Sequence, residues 1–447
     1  MSLVFFWLAS GWHVLLLLLS TTIDWRSGNS IHASSDKRVR KRWLMISLIT
    51  NLSLLSIFKY LDFLIRSFNL AALKISNSPG LDELGLALPV GISFYTFQTM
   101  SYTIDIYRRK TVPYQSFIDF GCYASFFPQL VAGPIERATH LLPQFYKYRQ
   151  FNYALAVNGC RQILWGFFKK LVIADNCAEF ANQIFNNSEA YGGSTLFLGA
   201  LFFTFQIYGD FSGYSDIAIG TSRLFGFDLM KNFAFPYFSR DIAEFWRRWH
   251  ISLSTWFRDY VYIPLGGSRG SQWKQVRNVF VIFLISGFWH GANWTFVLWG
   301  GLNAIYFLPL LLLKMNRSNL EIVAEGKIFP SIKELIQMGV TFFLTVLAWV
   351  SFRAEDISHA WQIYSRIFDR SLFSIPREVL SGKLLMCIML VLFFVLIEWI
   401  GRRREFAIEY LFESYPRWIR WSSYIFIIFL VGMFMQTNET PFIYFQF

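Results

Sequence analysis

Charge is scarce in this chain. Only 16% of its 447 residues are Asp, Glu, Lys or Arg, whereas 54% are apolar and 20% aromatic, with 50 Phe, 21 Tyr and 17 Trp. A soluble globular domain does not carry that balance. Cysteine is nearly absent too. Cys122, Cys160, Cys177 and Cys387 make no Cys-x-x-Cys pair and lie in apolar surroundings. They read as small hydrophobes, so no disulfide framework and no zinc site are predicted. No His-x-x-x-His pattern exists either, and no metal is expected. Internal repeats and low-complexity linkers are missing, which argues against an inverted-repeat transporter. The apolar stretch Ser2–Ile23 has no basic segment before it and no clean small-residue cleavage site, so it is predicted to be a retained helix.

What the chain has is apolar runs of membrane-spanning length. They fall near 3–23, 43–68, 86–104, 118–135, 153–174, 195–222, 278–290, 293–314, 332–352, 382–401 and 421–436. The runs are continuous rather than alternating, which excludes a β-barrel. The predicted fold is an all-α polytopic membrane protein of ten to eleven spanning or re-entrant helices, forming a single domain over 1–447 and embedded in the lipid bilayer. The net charge of +12 belongs to short loops and not to a nucleic-acid surface. The loop 24–42 carries Arg26, Lys37, Arg38, Arg40, Lys41 and Arg42; Arg108, Arg109 and Lys110 follow the third span, and Arg402, Arg403 and Arg404 the tenth. The excess of basic residues places these loops on the cytoplasmic face, and the 69–85 loop outside.

Residues 223–277 break the rhythm, being too polar to span. Trp246, Trp249, Leu253, Trp256 and Tyr260 recur at helical spacing as an apolar face, and Arg247, His250, Ser254 and Arg258 as a polar stripe. The spacing predicts one amphipathic interfacial helix with His250 on its wet side. Arg247, Arg248 and Arg258 beside a histidine would suit a phosphate or carboxylate, because guanidinium bonds such groups bidentately. The segment 354–381, with His359, Trp361 and Arg366, is expected to lie in the interface as well.

A second histidine, His290, sits in Gly287-Phe-Trp-His-Gly-Ala-Asn-Trp294, between two apolar runs. Ionisable groups at membrane depth are costly and mark function by default. A neutral imidazole suits general-base work on a hydroxyl; it could equally tie two spans by a hydrogen bond. Asn293 and Trp289 are its candidate supports. In Tyr208-Gly-Asp-Phe-Ser-Gly-Tyr-Ser-Asp216, Asp210 and Asp216 do not share a helical face. Pairing of each with an arginine of another helix is expected, and Gly209 and Gly213 give a small-xxx-small packing edge. The prolines and glycine of Phe126-Phe-Pro-Gln-Leu-Val-Ala-Gly-Pro-Ile-Glu-Arg137 predict a broken or re-entrant helix, with Gln129 and Glu136 facing a cavity.

Taken together with Leu88-Pro-Val-Gly-Ile-Ser-Phe-Tyr-Thr-Phe-Gln98, Arg240-Asp-Ile-Ala-Glu-Phe-Trp-Arg-Arg-Trp-His-Ile-Ser-Leu-Ser254, Tyr262-Ile-Pro-Leu-Gly-Gly267 and the C-terminal Phe442-Ile-Tyr-Phe-Gln-Phe447, these stretches resemble the membrane-bound O-acyltransferase family. The resemblance is closest to the bacterial branch that acetylates polysaccharides such as alginate, and it runs from about residue 5 to the end. Branch members begin with one further apolar helix, so a shortened chain or a misassigned start is expected. The resemblance implies a ring of tilted helices around a central funnel, with His290 at its centre and His250 toward the cytoplasmic side. It implies transfer of an acyl group, foremost acetyl, from a cytoplasmic thioester donor (acetyl-CoA or an acyl carrier protein) across a bacterial inner membrane. An extracytoplasmic acetyltransferase-type partner would pass the group to a polysaccharide hydroxyl. No bound cofactor is implied.

On this reading His290 and His250 are catalytic, and Arg247, Arg248, Trp246, Trp249, Trp289, Asn293, Asp210 and Gln129 bind substrate. His290 would act as general base or as transient acyl carrier. Two rivals are an aspartyl protease using Asp210 and Asp216, and a transporter or flippase of a glycan or acylated substrate.

Overall fold

The computed structural model describes residues 1–76, 80–411, 413–436 and 441–443. Among the described residues the regular structure is helical, with no strand. Six stretches among the described residues are long and apolar enough to cross a membrane: Ser2–Ala33, Lys37–Leu73, Trp294–Leu312, Ile332–Arg353, Gly382–Gly401 and Arg417–Phe434. The protein is a multi-pass membrane protein, with fewer such stretches than the ten to eleven expected. Runs such as 118–135 hold a short helix and irregular chain instead.

The chain packs as two compact units, 1–151 with 226–230, and 152–225 with 231–447. The first holds α1 (Ser2–Ser10), α2 (Val14–Ala33), α3 (Lys37–Leu55), α4 (Leu61–Ser76), α5 (Ile92–Tyr107), α6 (Phe117–Ala124) and α7 (Ala138–Tyr146). Helix replaces most of the expected 24–42 loop: α2 runs to Ala33 and α3 starts at Lys37, where the Asp36 carboxylate accepts from Arg38 N at 2.7 Å as an N-cap. In the 69–85 segment α4 continues to Ser76, while 77–79 lie outside the described residues.

A buried polar ladder stitches α2, α3 and α5. The fully buried Asp24 carboxylate accepts from Ser47 Oγ at 2.6 Å and from Asn51 Nδ2 at 2.9 Å, and Ser47 Oγ lies 2.9 Å from Thr103 Oγ1. In an apolar surround such bonds are needed, since an unsatisfied buried polar group costs about 1–3 kcal/mol. After α6 the chain runs without helix from Ser125 to Arg137, the break expected from Pro128, Gly133 and Pro134. Gln129 and Glu136 are both buried there. Glu136 accepts from His140 Nδ1 at 2.7 Å and from Met230 N at 2.5 Å. Gln129 Nε2 reaches the Tyr123 carbonyl at 3.5 Å.

The second unit holds α8 (Tyr153–Phe167), α9 (Asp175–Asn186), α10 (Gly193–Leu224), α11 (Ile242–Arg248), α12 (Ile251–Phe257), α13 (Gln272–His290), α14 (Trp294–Leu312), α15 (Ile332–Arg353), α16 (Ile357–Ile367), α17 (Gly382–Gly401) and α18 (Arg417–Phe434). α8 and α10 cross at small residues. A Cβ on Gly213 would meet the Gly166 carbonyl oxygen at 2.8 Å, so this edge packs backbone on backbone as its spacing predicts. A π-helical turn, Phe168–Ala174, joins α8 to α9 and turns Lys169 and Lys170 toward α10. Lys170 Nζ pairs with Asp210 at 2.8 Å and Asp175 at 2.9 Å, and Lys169 Nζ with Asp216 at 2.5 Å.

The partners of Asp210 and Asp216 are therefore lysines rather than the expected arginines. Each aspartate has its own lysine, so the shared dyad of an aspartyl protease does not form. α16 is a helix within the stretch expected to be interfacial, with Trp361 exposed. Its Arg366 donates to the carbonyls of Ser188, Glu189 and Tyr191. Cys177 and Cys387 are buried, but Cys122 and Cys160 lie exposed on the protein surface, against expectation.

α13 and α14 form a tight hairpin. A Cβ on Gly287 would run into the Phe296 carbonyl oxygen. Replacing Gly287 by leucine is expected to push the helices apart and to cost about 1–3 kcal/mol or more. Thermal unfolding of the purified variant, followed by Trp fluorescence, checks this; an unchanged melting curve would contradict the close packing.

Candidate active site

The second unit brings the two histidines together. Their ring centroids lie 6.3 Å apart, and Trp289 stands 5.0 Å from His290 and 6.1 Å from His250. Both are buried, at 4% and 1% exposure. That corrects the placement of His250 on a wet helix face. The expected single helix is two, α11 and α12, broken at His250, whose backbone is left-handed (φ 43°, ψ 55°).

A non-glycine residue in that region costs about 1–3 kcal/mol and persists only where its surroundings hold it. Here the segment 232–234 does so. Ala234 N donates to the Arg248 carbonyl at 3.0 Å and Ile251 N to the Asn232 carbonyl at 2.9 Å, flanking the break on both sides. The fully buried Asn232 adds a bond from Ser252 Oγ at 2.8 Å. The break turns the imidazole inward against Phe211, 4.6 Å away edge to face. Burial pushes its pKa down, to about 3, so His250 is neutral at physiological pH.

His290 is the last residue of α13. Trp299 of α14 (5.1 Å) and Phe352 of α15 (5.5 Å) complete a box around its ring with Trp289. Trp349 backs Trp299 at 5.6 Å. Neither Trp299 nor Phe352 stood out in the sequence, where they were two aromatics among many. Asn293, expected to orient His290, instead caps α14 by accepting from Thr295 N at 3.1 Å and donates to the Glu355 carbonyl at 2.7 Å. It sets the turn that follows His290.

The arginines of α11 also have other work than an open anion site. Arg248 bonds the buried Glu244 carboxylate at 2.8 Å and the Ala234 carbonyl at 3.2 Å. Arg247 donates to the carbonyls of Asn316 and Asn319 at 2.9 and 2.7 Å. Glu244 is itself shared with Arg240 at 3.0 Å. These bonds pin α11 to the 316–321 loop. Trp249 is buried in an aromatic stack with Phe245 and Trp349. Asp210 is committed to Lys170 and accepts from Ile443 N at 2.6 Å; its neighbour Phe211 is what touches His250. Gln129 belongs to the other unit. In the C-terminal motif, 444–447 lie outside the described residues.

A cavity of about 360 Å³ runs along α13, the helix that ends at His290. Gln275, Val279, Ile282, Phe283 and Ser286 line it on that helix, with Trp246, Phe257 and Phe307 opposite. Arg258, Lys314 and Arg317 line it as well, near the start of α13, where Gln272 Nε2 reaches the Leu312 carbonyl at 3.4 Å. The cavity thus combines a basic mouth with an aromatic interior, and Ser286 precedes His290 by one helical turn. It suits an elongated ligand with an anionic head and a thin uncharged arm.

The profile of MBOAT, membrane-bound O-acyltransferase family, matches residues 107–340, a stretch that contains both histidines. The chain is 40% identical over 365 residues to the probable alginate O-acetylase of Pseudomonas aeruginosa, covering 80% of this chain and 67% of that protein. It is 36% identical over 374 residues to the peptidoglycan O-acetyltransferase of Helicobacter pylori, covering 78% and 68%. It is 30% identical over 230 residues to the teichoic acid D-alanyltransferase of Bacillus subtilis, covering 48% and 57%. With two buried histidines facing each other in a helical membrane protein, and this likeness over most of its length, the chain belongs to the membrane-bound O-acyltransferase family and is an acyltransferase.

Proposed function

We propose that this protein takes an acetyl group from a cytoplasmic thioester donor and delivers it toward a hydroxyl of a cell-surface polysaccharide, from the inner membrane of a bacterium. An extracytoplasmic acetyltransferase-type protein receives the group on the far side. The observation that carries the reading is that the basic-mouthed cavity runs along α13, the helix that ends at His290, with His250 packed beside it. Arg258, Lys314 and Arg317, together with Arg269, Lys274 and Arg277 nearby in the chain, support a mouth on the side where basic loops accumulate. Relatives named for alginate and peptidoglycan O-acetylation support acetyl as the group and a glycan as the final acceptor.

In this reading the thioester is a substrate and no cofactor is held. His290 takes the proton of the acceptor hydroxyl. The oxygen bonds to the thioester carbonyl carbon, the carbon–sulfur bond breaks, and the leaving thiolate takes the proton back from His290. Neutral His250 and Trp289 flank the carbonyl and orient it. Trp246 lines the donor arm. Trp249 and Asn293 hold the helix ends that carry the histidines, and Arg247 and Arg248 act from behind by fixing α11.

The test uses the purified protein in vesicles, with a hydroxyl-bearing polysaccharide as acceptor and acetyl-CoA and an acetylated carrier protein as separate donors, and reads thiol release. Consumption of one donor and not the other identifies its head. The Arg258→Glu, Lys314→Glu double variant is expected to raise KM for that donor about tenfold, equivalent to about 1.4 kcal/mol. The difference should shrink at high salt, because exposed charges are screened there. If neither thioester is consumed, the acyl-transfer reading fails and transport of a glycan or acylated substrate takes its place.

A further inference from the structure

The cavity along α13 extends from Gln275 to Ser286, about 17 Å at the helical rise. His290 lies about 6 Å further along the same axis. Around that point Trp299, Trp349 and Phe352 are each 2% exposed or less and pack ring against ring beside His290. An acyl group carried up the cavity therefore meets a wall of indole and phenyl rings where its carbonyl must stop.

One of the rings near this wall differs from the rest. Trp246 borders the cavity on one side and Trp299 on the other, with centroids 5.6 Å apart, and leans on Phe283 at 5.4 Å. It is half-buried and the other wall residues are sealed. Truncating Trp299 or Trp349 would leave a closed hole. Truncating Trp246 would open volume continuous with the cavity, next to the place the acyl tail must occupy. Apolar voids of side-chain size take up apolar guests.

We propose that Trp246 is the acyl-length gauge of this site: its indole, braced by Phe283 and Trp299, closes the space beside the thioester carbonyl and restricts the donor to short acyl groups. The inference rests on the donor occupying this cavity. It adds the residue that excludes longer chains and the reason, which is lack of volume and not polarity.

The experiment compares acetyl-, butyryl- and octanoyl-pantetheine thioesters, supplied in competition, with a hydroxyl-bearing polysaccharide acceptor, to the protein in vesicles, and reads the ratio of the acyl esters formed on that acceptor within each sample. That ratio is independent of how much protein folds. Wild type is expected to favour acetyl over octanoyl. Trp246→Ala should raise the octanoyl-to-acetyl ratio at least tenfold, and Trp246→Phe should raise the butyryl-to-acetyl ratio with little gain for octanoyl. The phenylalanine variant keeps an aromatic ring in place, so it reports even if the alanine variant does not fold. Unchanged ratios in the variants, or a wild type that takes octanoyl as readily as acetyl, would overturn the gauge while leaving acyl transfer standing. A wild type that consumes no thioester at all removes the donor reading itself.

Discussion

Alanine at His290 is expected to lower acetyl transfer about 10²- to 10⁴-fold, the usual contribution of a general base. The imidazole sits at the last residue of α13, boxed by Trp289, Trp299 and Phe352 and facing His250 across 6.3 Å. Removing it takes away the nitrogen proposed as the general base and leaves a hole of ring size among packed aromatics. The second effect costs stability, so the comparison needs His290→Gln, which keeps most of the volume and the polarity but accepts no proton. Both variants should lose surface O-acetyl ester in cells and thiol release in vesicles. The glutamine variant should insert and elute from a sizing column as wild type does. A glutamine variant that keeps substantial activity would show that His290 serves only to tie α13 to its neighbours, which is the structural role its position also permits.

The second large effect is expected one step away from the chemistry. Glu244 is 1% exposed and its carboxylate holds Arg240 and Arg248 together. Replacing it with alanine takes the shared carboxylate from two half-buried guanidiniums, which keep Glu334 and the carbonyls of Ala234 and Glu321, and breaking a fully buried pair costs up to about 3–5 kcal/mol. That is a large part of the 5–15 kcal/mol by which folded domains are usually stable. The damage should reach His250 directly. The Arg248 carbonyl accepts from Ala234 N, one of the two backbone bonds that hold the left-handed break at His250. Glu244→Ala is therefore expected to melt well below wild type and to lose activity even where some folded protein remains. Arg248→Ala combined with Glu244→Ala should cost less than the sum of the single changes, because the charge left behind by one is removed by the other. Additive effects in that double-mutant cycle, read from thermal unfolding, would mean that the two side chains do not act as a pair.

The family, the helical class and the two histidines were legible in the chain itself. Membrane-length apolar runs follow from composition alone, because every backbone polar group in lipid must bond within its own helix. Proline and glycine at Pro128, Gly133 and Pro134 broke the helix where local sterics require it. The Gly-rich edge of α10 packed as its spacing foretold. Each of these is decided by residues within a few positions of one another.

What tertiary structure alone decided is which groups, far apart in the chain, meet. Helical periodicity placed His250 on a wet face; two backbone bonds from the 232–234 segment turned it inward instead. Arg247 and Arg248 were suited to an anion by type, yet their partners came from Glu244 and from carbonyls as far away as Asn319. Asp210 and Asp216 found lysines, because the π-helical turn after α8 rotates Lys169 and Lys170 toward α10. Of the three candidate arginines only Arg258 lines the basic mouth, joined there by Lys314 and Arg317 from a distant part of the chain. Periodicity reports which face a residue shares with its neighbours three and four positions away. It carries no information about what the rest of the chain brings to that face, and in a bilayer the partner a buried charge finds decides whether it binds substrate or holds the fold.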